Sequence, residues 1–196
     1  MANTIQSINF DYLKENLLRD TARMAAIESV KFFKQSFRDG GFTDTALSKW
    51  QETDNPLKRK TMFNSGVLMD SVRATEESTK RVVVSSDTVY SAIHNEGGVI
   101  TVTAQMKKYW WTQYMRFAGK VKTAKSGKRS QSKDKQKPST KAEFCKRMAL
   151  MKVGSKIKIP QRQFMGESQT LMSRLDEKLG AKIAEYWERT QESLTT

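Results

Sequence analysis

The chain has little of what catalytic and disulfide-stabilised proteins are built from. It contains 1 cysteine and 1 histidine in 196 residues. Cys145 alone cannot form an intramolecular disulfide, and with His94 the only imidazole there is no Cys/His set for a structural zinc. Such cysteine usage fits a reducing cytoplasm. No apolar run approaches the roughly 18 residues that span a bilayer, and the first residues lack a charged start followed by an apolar stretch and a cleavage site. Neither membrane insertion nor signal-led secretion is therefore expected. Glycine-rich phosphate cradles are also missing, since Asn95-Glu96-Gly97-Gly98 has no Gly-Lys-Ser/Thr ending and GxGxxG occurs nowhere. A catalytic pair on His94 would have to recruit a distant serine or Cys145, because no nucleophile elbow exists. The plainer reading of His94 is a side chain at the end of a helical turn, bonded to a backbone group before Gly97-Gly98. The basic region holds only Asp134 and Glu143, too few carboxylates for two-metal nuclease chemistry. No enzymatic activity and no cofactor are expected.

Acidic residues are scarce in one place only. Lys and Arg total 35 against 21 Asp and Glu, a net charge of +14. From Lys107 to Gln163 there are 18 basic residues and 2 acidic ones, which leaves 17 against 19 in the rest. A mildly acidic body carrying one strongly basic segment points to local contact with a polyanion, nucleic acid first among them. With 37% hydrophobic residues and a mean hydropathy of -0.66, the chain still has the apolar content of a folded domain. Its length suits a single domain over residues 1–196.

Periodicity supplies the elements. Leu18, Ala22, Ala26, Val30, Phe33 and Phe37 recur every three or four residues and predict a helix from about Asp11, ending at Asp39-Gly40-Gly41. Trp50 sits in a polar stretch closed by Asn55-Pro56. A short helix is expected over Thr61 to Val72, weakened at Gly66 by about 1 kcal/mol relative to alanine. A short run after Val72, the polar tract Thr75 to Lys80 and Arg81 to Ser86 read as a hairpin. Thr88 to Glu96 reads as a helical turn and Val99 to Thr103 as a strand. Met106, Trp110, Tyr114 and Phe117 return to helical spacing. Thr140-Lys141-Ala142-Glu143 matches a capping box that opens a helix to about Met151. Lys156 to Ile159 alternates as a strand stopped by Pro160. Met172, Leu175, Leu179, Ile183, Tyr186 and Trp187 mark a last helix with Ser168 as its N-cap. This order predicts an α+β fold: a small, mainly antiparallel sheet packed by long N-terminal and C-terminal helices, with a helical, basic insertion over residues 105–151.

Two features invite a functional reading beside a plainer one. The cluster Tyr109, Trp110, Trp111, Tyr114 and Phe117, next to Lys107, Lys108 and Arg116, can be a stacking platform for bases or ordinary packing. Trp111 lies off the stripe of Met106, Trp110 and Tyr114, which makes it the candidate for an interface or ligand contact. Residues 119–139 hold eight Lys/Arg, five Ser/Thr and almost nothing apolar, so burial cannot repay the entropy of ordering them, and a flexible loop is expected. Its Lys120, Lys122, Lys125, Lys128, Arg129, Lys133, Lys135 and Lys137 are either a solvated charge run or a set of point charges for phosphate contact without base readout.

Three segments together resemble the virion morphogenesis, or tail-completion, proteins of tailed bacteriophages, the phage Mu G-like family. Asn64-Ser65-Gly66-Val67-Leu68-Met69-Asp70-Ser71-Val72 is similar to the family's stretch before its first strands. Val89-Tyr90-Ser91-Ala92-Ile93-His94-Asn95-Glu96-Gly97-Gly98 resembles its tyrosine, isoleucine-histidine-glutamine and glycine-glycine motif, with Asn95 in place of the glutamine. Ile159-Pro160-Gln161-Arg162-Gln163-Phe164-Met165-Gly166-Glu167-Ser168 is close to its proline-x-arginine-proline-phenylalanine-leucine-glycine motif, with Gln163 where the family has proline. The resemblance implies a non-enzymatic protein of the neck or tail end of the virion, present in the host cytoplasm during assembly. It implies a homo-oligomeric ring with other tail and connector proteins as partners, and neither membrane nor small-molecule substrate. His94, Gly97, Gly98, Pro160, Arg162, Phe164 and Gly166 then become structural or interface residues. Arg162 is expected to hold a carboxylate or backbone carbonyls across this corner or across a subunit boundary. A ring around the DNA path would let the lysine loop touch passing phage DNA nonspecifically.

Overall fold

A computed structural model describes residues 10–53, 55–57, 60–118 and 139–195, the side chains of 193–195 excepted. The fold is α+β: among the described residues there are six helices and three two-stranded antiparallel sheets. The basic loop residues Lys120, Lys122, Lys125, Lys128, Arg129, Lys133, Lys135 and Lys137 lie outside the described residues.

Helix α1 (Phe10–Asp39) buries Ala26, Phe32, Phe33 and Phe37, an apolar face confined to its second half. It stops where Gly40 turns left-handed at φ 70° and donates its N–H to Ser36 O at 2.9 Å. The chain then doubles back through β1 (Gly41–Thr43) and β2 (Leu47–Lys49), a hairpin that periodicity did not announce. Next come α2 (Val67–Asp70), β3 (Val72–Glu77) and β4 (Val82–Ser86), the last two paired with an irregularity between Ala74 and Glu76. The helix expected over Thr61 to Val72 is reduced to the four residues of α2. Met62 at φ 61° and Gly66 at φ 85° are both left-handed, so helical hydrogen bonding cannot run through them.

Helix α3 (Ser91–Glu96) leads into β5 (Gly98–Thr101), which pairs with the distant β6 (Lys156–Ile159). Between these strands the chain makes an arm of two helices, α4 (Ala104–Phe117) and α5 (Thr140–Leu150). Small side chains at Ala142, Cys145 and Ala149, all fully buried, let α4 pack closely on α5, with the Trp110 ring edge-on to Phe144 at 5.5 Å. The α5 cap is Ser139, one residue before the expected capping box, with its hydroxyl accepting from Ala142 N at 3.3 Å. The arm joins the body at Val102, which is buried and exchanges backbone bonds with Gly154 and Ser155.

The core is built by Phe32, Phe33 and Phe37 of α1, Phe42 of β1, Trp50, Met62, Leu68, Val72, Phe164 and Leu171. Leu171 belongs to α6 (Gln169–Thr195), which runs antiparallel to α1: Tyr186 meets Asp20, Lys178 meets Glu28, and the Arg174 guanidinium lies over the Phe32 ring. The seam carries a pH dependence. Tyr186 Oη donates to Asp20 Oδ2 at 2.7 Å. That bond holds the Asp20 carboxyl below its ordinary range and pushes the Tyr186 phenol up. Glu185 is likewise held low, chiefly by the bond from Lys182. Lowered carboxyls contribute stability above about pH 4 that is lost as pH falls through their folded values; the raised phenol contributes below about pH 10 and is lost as pH rises. The urea midpoint of the wild type is therefore expected to fall at both ends. Tyr186→Phe should flatten the alkaline limb and part of the acid one, and an unchanged profile would show that the seam bond contributes nothing.

Candidate functional site

The register Gly98↔Ile159 places the end of α3 against the segment that leaves β6. Pro160, with no N–H to donate, directly follows the last paired residue and releases the chain from the ladder. Arg162 N then donates to His94 O at 2.8 Å. Asn95 Oδ1 accepts from both Phe164 N at 2.9 Å and Met165 N at 3.0 Å. Gly97 makes the approach possible: it sits at φ 77°, ψ 179°, and a Cβ there would lie 2.9 Å from Gln161 N.

A third segment closes this corner. Trp50 Nε1 donates to Gln163 O at 2.6 Å, and Arg162 Nε donates to Gln51 O at 3.0 Å. Arg162 is only 8% exposed, and burial pulls its pKa below the ordinary guanidinium value. It therefore holds a backbone carbonyl within its own chain, one of the partners expected for it. Phe164, with no exposed surface, packs its ring 5.0 Å from Phe37. After Gly166 the chain enters α6 through Ser168, whose hydroxyl accepts from Leu171 N at 3.1 Å and donates to Thr43 O at 2.9 Å. Asp44, in the β1–β2 turn, adds a second cap by accepting from Gln169 N at 2.8 Å.

The corner thus brings His94, Gly97, Gly98, Pro160, Arg162, Phe164 and Gly166 together. Trp111 lies apart, 39% exposed on α4, with its ring edge-on to Tyr114 at 5.5 Å. The His94 ring stacks edge-on to Tyr90 at 6.0 Å, beside a cleft lined also by Met62, Asn64 and Leu68. Sequence reasoning missed Trp50, Gln51 and Asp44; a lone tryptophan in a polar stretch was the one available signal. Among the described residues, no three His, Cys, Asp or Glu side chains gather into a metal site. No described helix is long and apolar enough to cross a membrane. The polar groups of the corner tie three distant segments together.

Asn95 gives a direct test of the clasp. Asn95→Ala leaves two backbone N–H groups without their acceptor, at about 1–3 kcal/mol for each group that stays dry. Amide exchange at Phe164 and Met165 is expected to accelerate well beyond that of the α1 core. Asn95→Asp keeps an acceptor oxygen and should retain most of the protection; equal loss in both variants would count against the bond geometry.

No protein-family model, curated protein or solved structure matches this chain.

Proposed function

We propose that this chain is a structural, non-enzymatic protein of a tailed bacteriophage that completes the tail or joins it to the head, working as one subunit of a ring at the neck or tail terminus. The observation that carries the reading is the clasp. The two segments most similar to the tail-completion proteins, 89–98 and 159–168, are far apart in sequence yet bond to each other through His94, Asn95 and Arg162. A pairing built from backbone bonds and one side-chain amide in this way needs no reacting group. Its partners are other tail and connector proteins, with the lysine loop touching phage DNA. Quantitative mass spectrometry of purified virions, tailless heads and free tails tests the reading. A fixed number of about six to twelve copies per particle, in keeping with cyclic assembly, is expected. Absence from particles overturns it.

A second reading, a nonspecific nucleic-acid-binding module acting through the basic loop and aromatic helix, is favoured by the charge of the arm. Residues 104–118 and 139–155 carry seven basic side chains and one acidic one. Among the described residues, the ion pairs all lie elsewhere, on α1, α6 and around the β3–β4 ladder. Replacing residues 119–138 with a short Gly-Ser linker keeps the Ser139 cap and separates the readings. Under the structural reading the variant folds and enters particles. Under the second it loses its main function, salt-dependent binding to duplex DNA.

A further inference from the structure

Two kinds of partner hold cations in this chain. In the body they are carboxylates: Arg73 meets Asp87, Arg81 meets Glu76, Lys178 meets Glu28, and Lys182 and Arg189 meet Glu185. On the arm, where no ion pair lies among the described residues, they are rings. The Arg116 guanidinium lies 6.0 Å and the Lys141 ammonium 5.9 Å from the centre of one ring, Phe117, and the Arg147 guanidinium lies 5.4 Å from that of Phe144. A carboxylate offsets the charge it meets, whereas a ring steadies the side chain and leaves its full charge to meet an outside anion.

Arg116 and Lys141 are exposed and come from the last turn of α4 and the first of α5, so the arm brings them to one ring at its end away from the β5–β6 ladder. Two cations against one ring repel each other, and α4 has no acidic residue to offset them. The arm's one carboxylate among the described residues, Glu143, stands two positions past Lys141 and so on another side of α5, where it lines a cleft with Arg147. The segment 119–138, with eight basic residues and one acidic, departs just after Phe117 and returns just before Lys141. The aromatic side chains of α4 are meanwhile engaged with one another or with α5: Tyr109 meets Trp110, Trp110 meets Phe144 and Trp111 meets Tyr114, all edge-on with centroids 5.1 to 5.5 Å apart. Charge without a stacking platform suits the phosphates of a duplex rather than unpaired bases.

We propose that the end of the arm is a preformed phosphate-binding site for duplex DNA, in which Arg116 and Lys141, steadied over Phe117, neutralise backbone charge without reading bases. The inference rests on the DNA contact that both readings above contain, and it gives that contact a folded anchor beside the basic segment. Long cationic side chains ordinarily lose freedom when they grip a phosphate; here the ring has already taken much of that freedom away, so less is lost on binding.

Fluorescence anisotropy of the full chain on a duplex of about 20 base pairs, from about 50 to 200 mM salt, tests it. Each phosphate neutralised adds about 0.9 to the slope of log affinity against log salt, so Arg116→Gln, Lys141→Gln should lower the slope by about 1.8 and weaken binding about tenfold or more. Lys146→Gln, Lys152→Gln removes the same charge from exposed positions of the arm away from that ring and should lower the slope by less than about 0.5. Phe117→Leu keeps both cations but loosens them: the slope should hold while affinity falls about threefold, with the circular dichroism unchanged. An equal fall in slope in the lysine control, or tighter binding of a single strand of the same length, overturns the site. The outcome stays separable from the DNA contact itself. Binding by the wild type with an unchanged slope in the Arg116, Lys141 variant rejects the site alone, and a wild type that binds no duplex at any salt rejects the contact and the site together.

Discussion

Phe164→Ala is expected to cost about 3–5 kcal/mol of unfolding free energy, among the largest single losses available in this chain. The ring has no exposed surface and lies against Phe37, itself 1% exposed, whose other neighbour is Trp50 with ring centroids 5.6 Å apart. Removing it opens a cavity that α1 cannot close by moving inward, because Phe32 and Phe33 already hold that helix against Phe42 and its neighbours. The loss reaches the clasp as well, since Trp50 holds the carbonyl of Gln163, next to Phe164 in the chain. Against a total of about 5–15 kcal/mol for a domain, the variant is expected to be partly unfolded at 37 °C. Urea titration at 25 °C checks the size, and Phe164→Leu, which keeps most of the volume, should lose far less. A cost below about 1 kcal/mol for the alanine variant would mean that the site collapses freely and that Phe164 does not anchor the corner.

What the sequence made legible follows from where the structure is local. Helix α1 shows itself because its buried residues recur on one face and Gly40 ends it; β4 shows itself through Val82, Val83 and Val84. The β1–β2 hairpin stayed hidden for a physical reason. Each strand has three residues, and β2 is exposed throughout, so no alternation exists to be read. Its place is set by contacts from far along the chain, such as Ser168 and Gln169 on the Thr43–Asp44 turn. The short helix expected around Met62 and Leu68 had suitable apolar spacing, but the left-handed Met62 and Gly66 overrode it. For α6 the apolar positions were visible as one set. The structure divides them: Leu175 packs against the core beside Leu171, which the set left out, and Tyr186 meets Asp20 of α1, while Met172, Leu179, Ile183 and Trp187 keep more than a third of their surface exposed. Periodicity shows that a face is apolar and is silent about what covers it.

The same limit applies to the corner. His94, Gly97, Arg162 and Phe164 could be singled out because they fall in recognisable segments, whereas the pairing of those segments depends on the β5–β6 register, which one sequence does not reveal. The side-chain oxygen of Asn95 serves two backbone amides at once, a role that its place between His94 and Glu96 does not announce.

Gly97 should give the second large effect. At φ 77° and ψ 179° it occupies a region that is essentially closed to side-chain-bearing residues and costs them of order 1–3 kcal/mol. An alanine there also meets backbone, with Gln161 N at 2.9 Å and Gln161 Cα at 3.1 Å from the new methyl. Backbone tied down on both sides, by the β6 ladder that ends at Ile159 and by the bond from Arg162 N to His94 O, cannot swing aside as a flexible side chain would. Gln161 must retreat, and the next residue's bond from Arg162 N to His94 O is then stretched. Gly97→Ala is therefore expected to cost about 2–4 kcal/mol in all, and at roughly 2–4 °C per kcal/mol to lower the melting temperature by about 5–15 °C. Gly154 supplies the comparison: it too is left-handed, at φ 87°, but has nothing within 4 Å of its Cβ position. Gly154→Ala suffers the conformational strain without the collision and should cost only about 1 kcal/mol. The difference between the two variants measures the closeness of the clasp, and equal losses would mean that the 159–168 segment can move away from Gly97 freely.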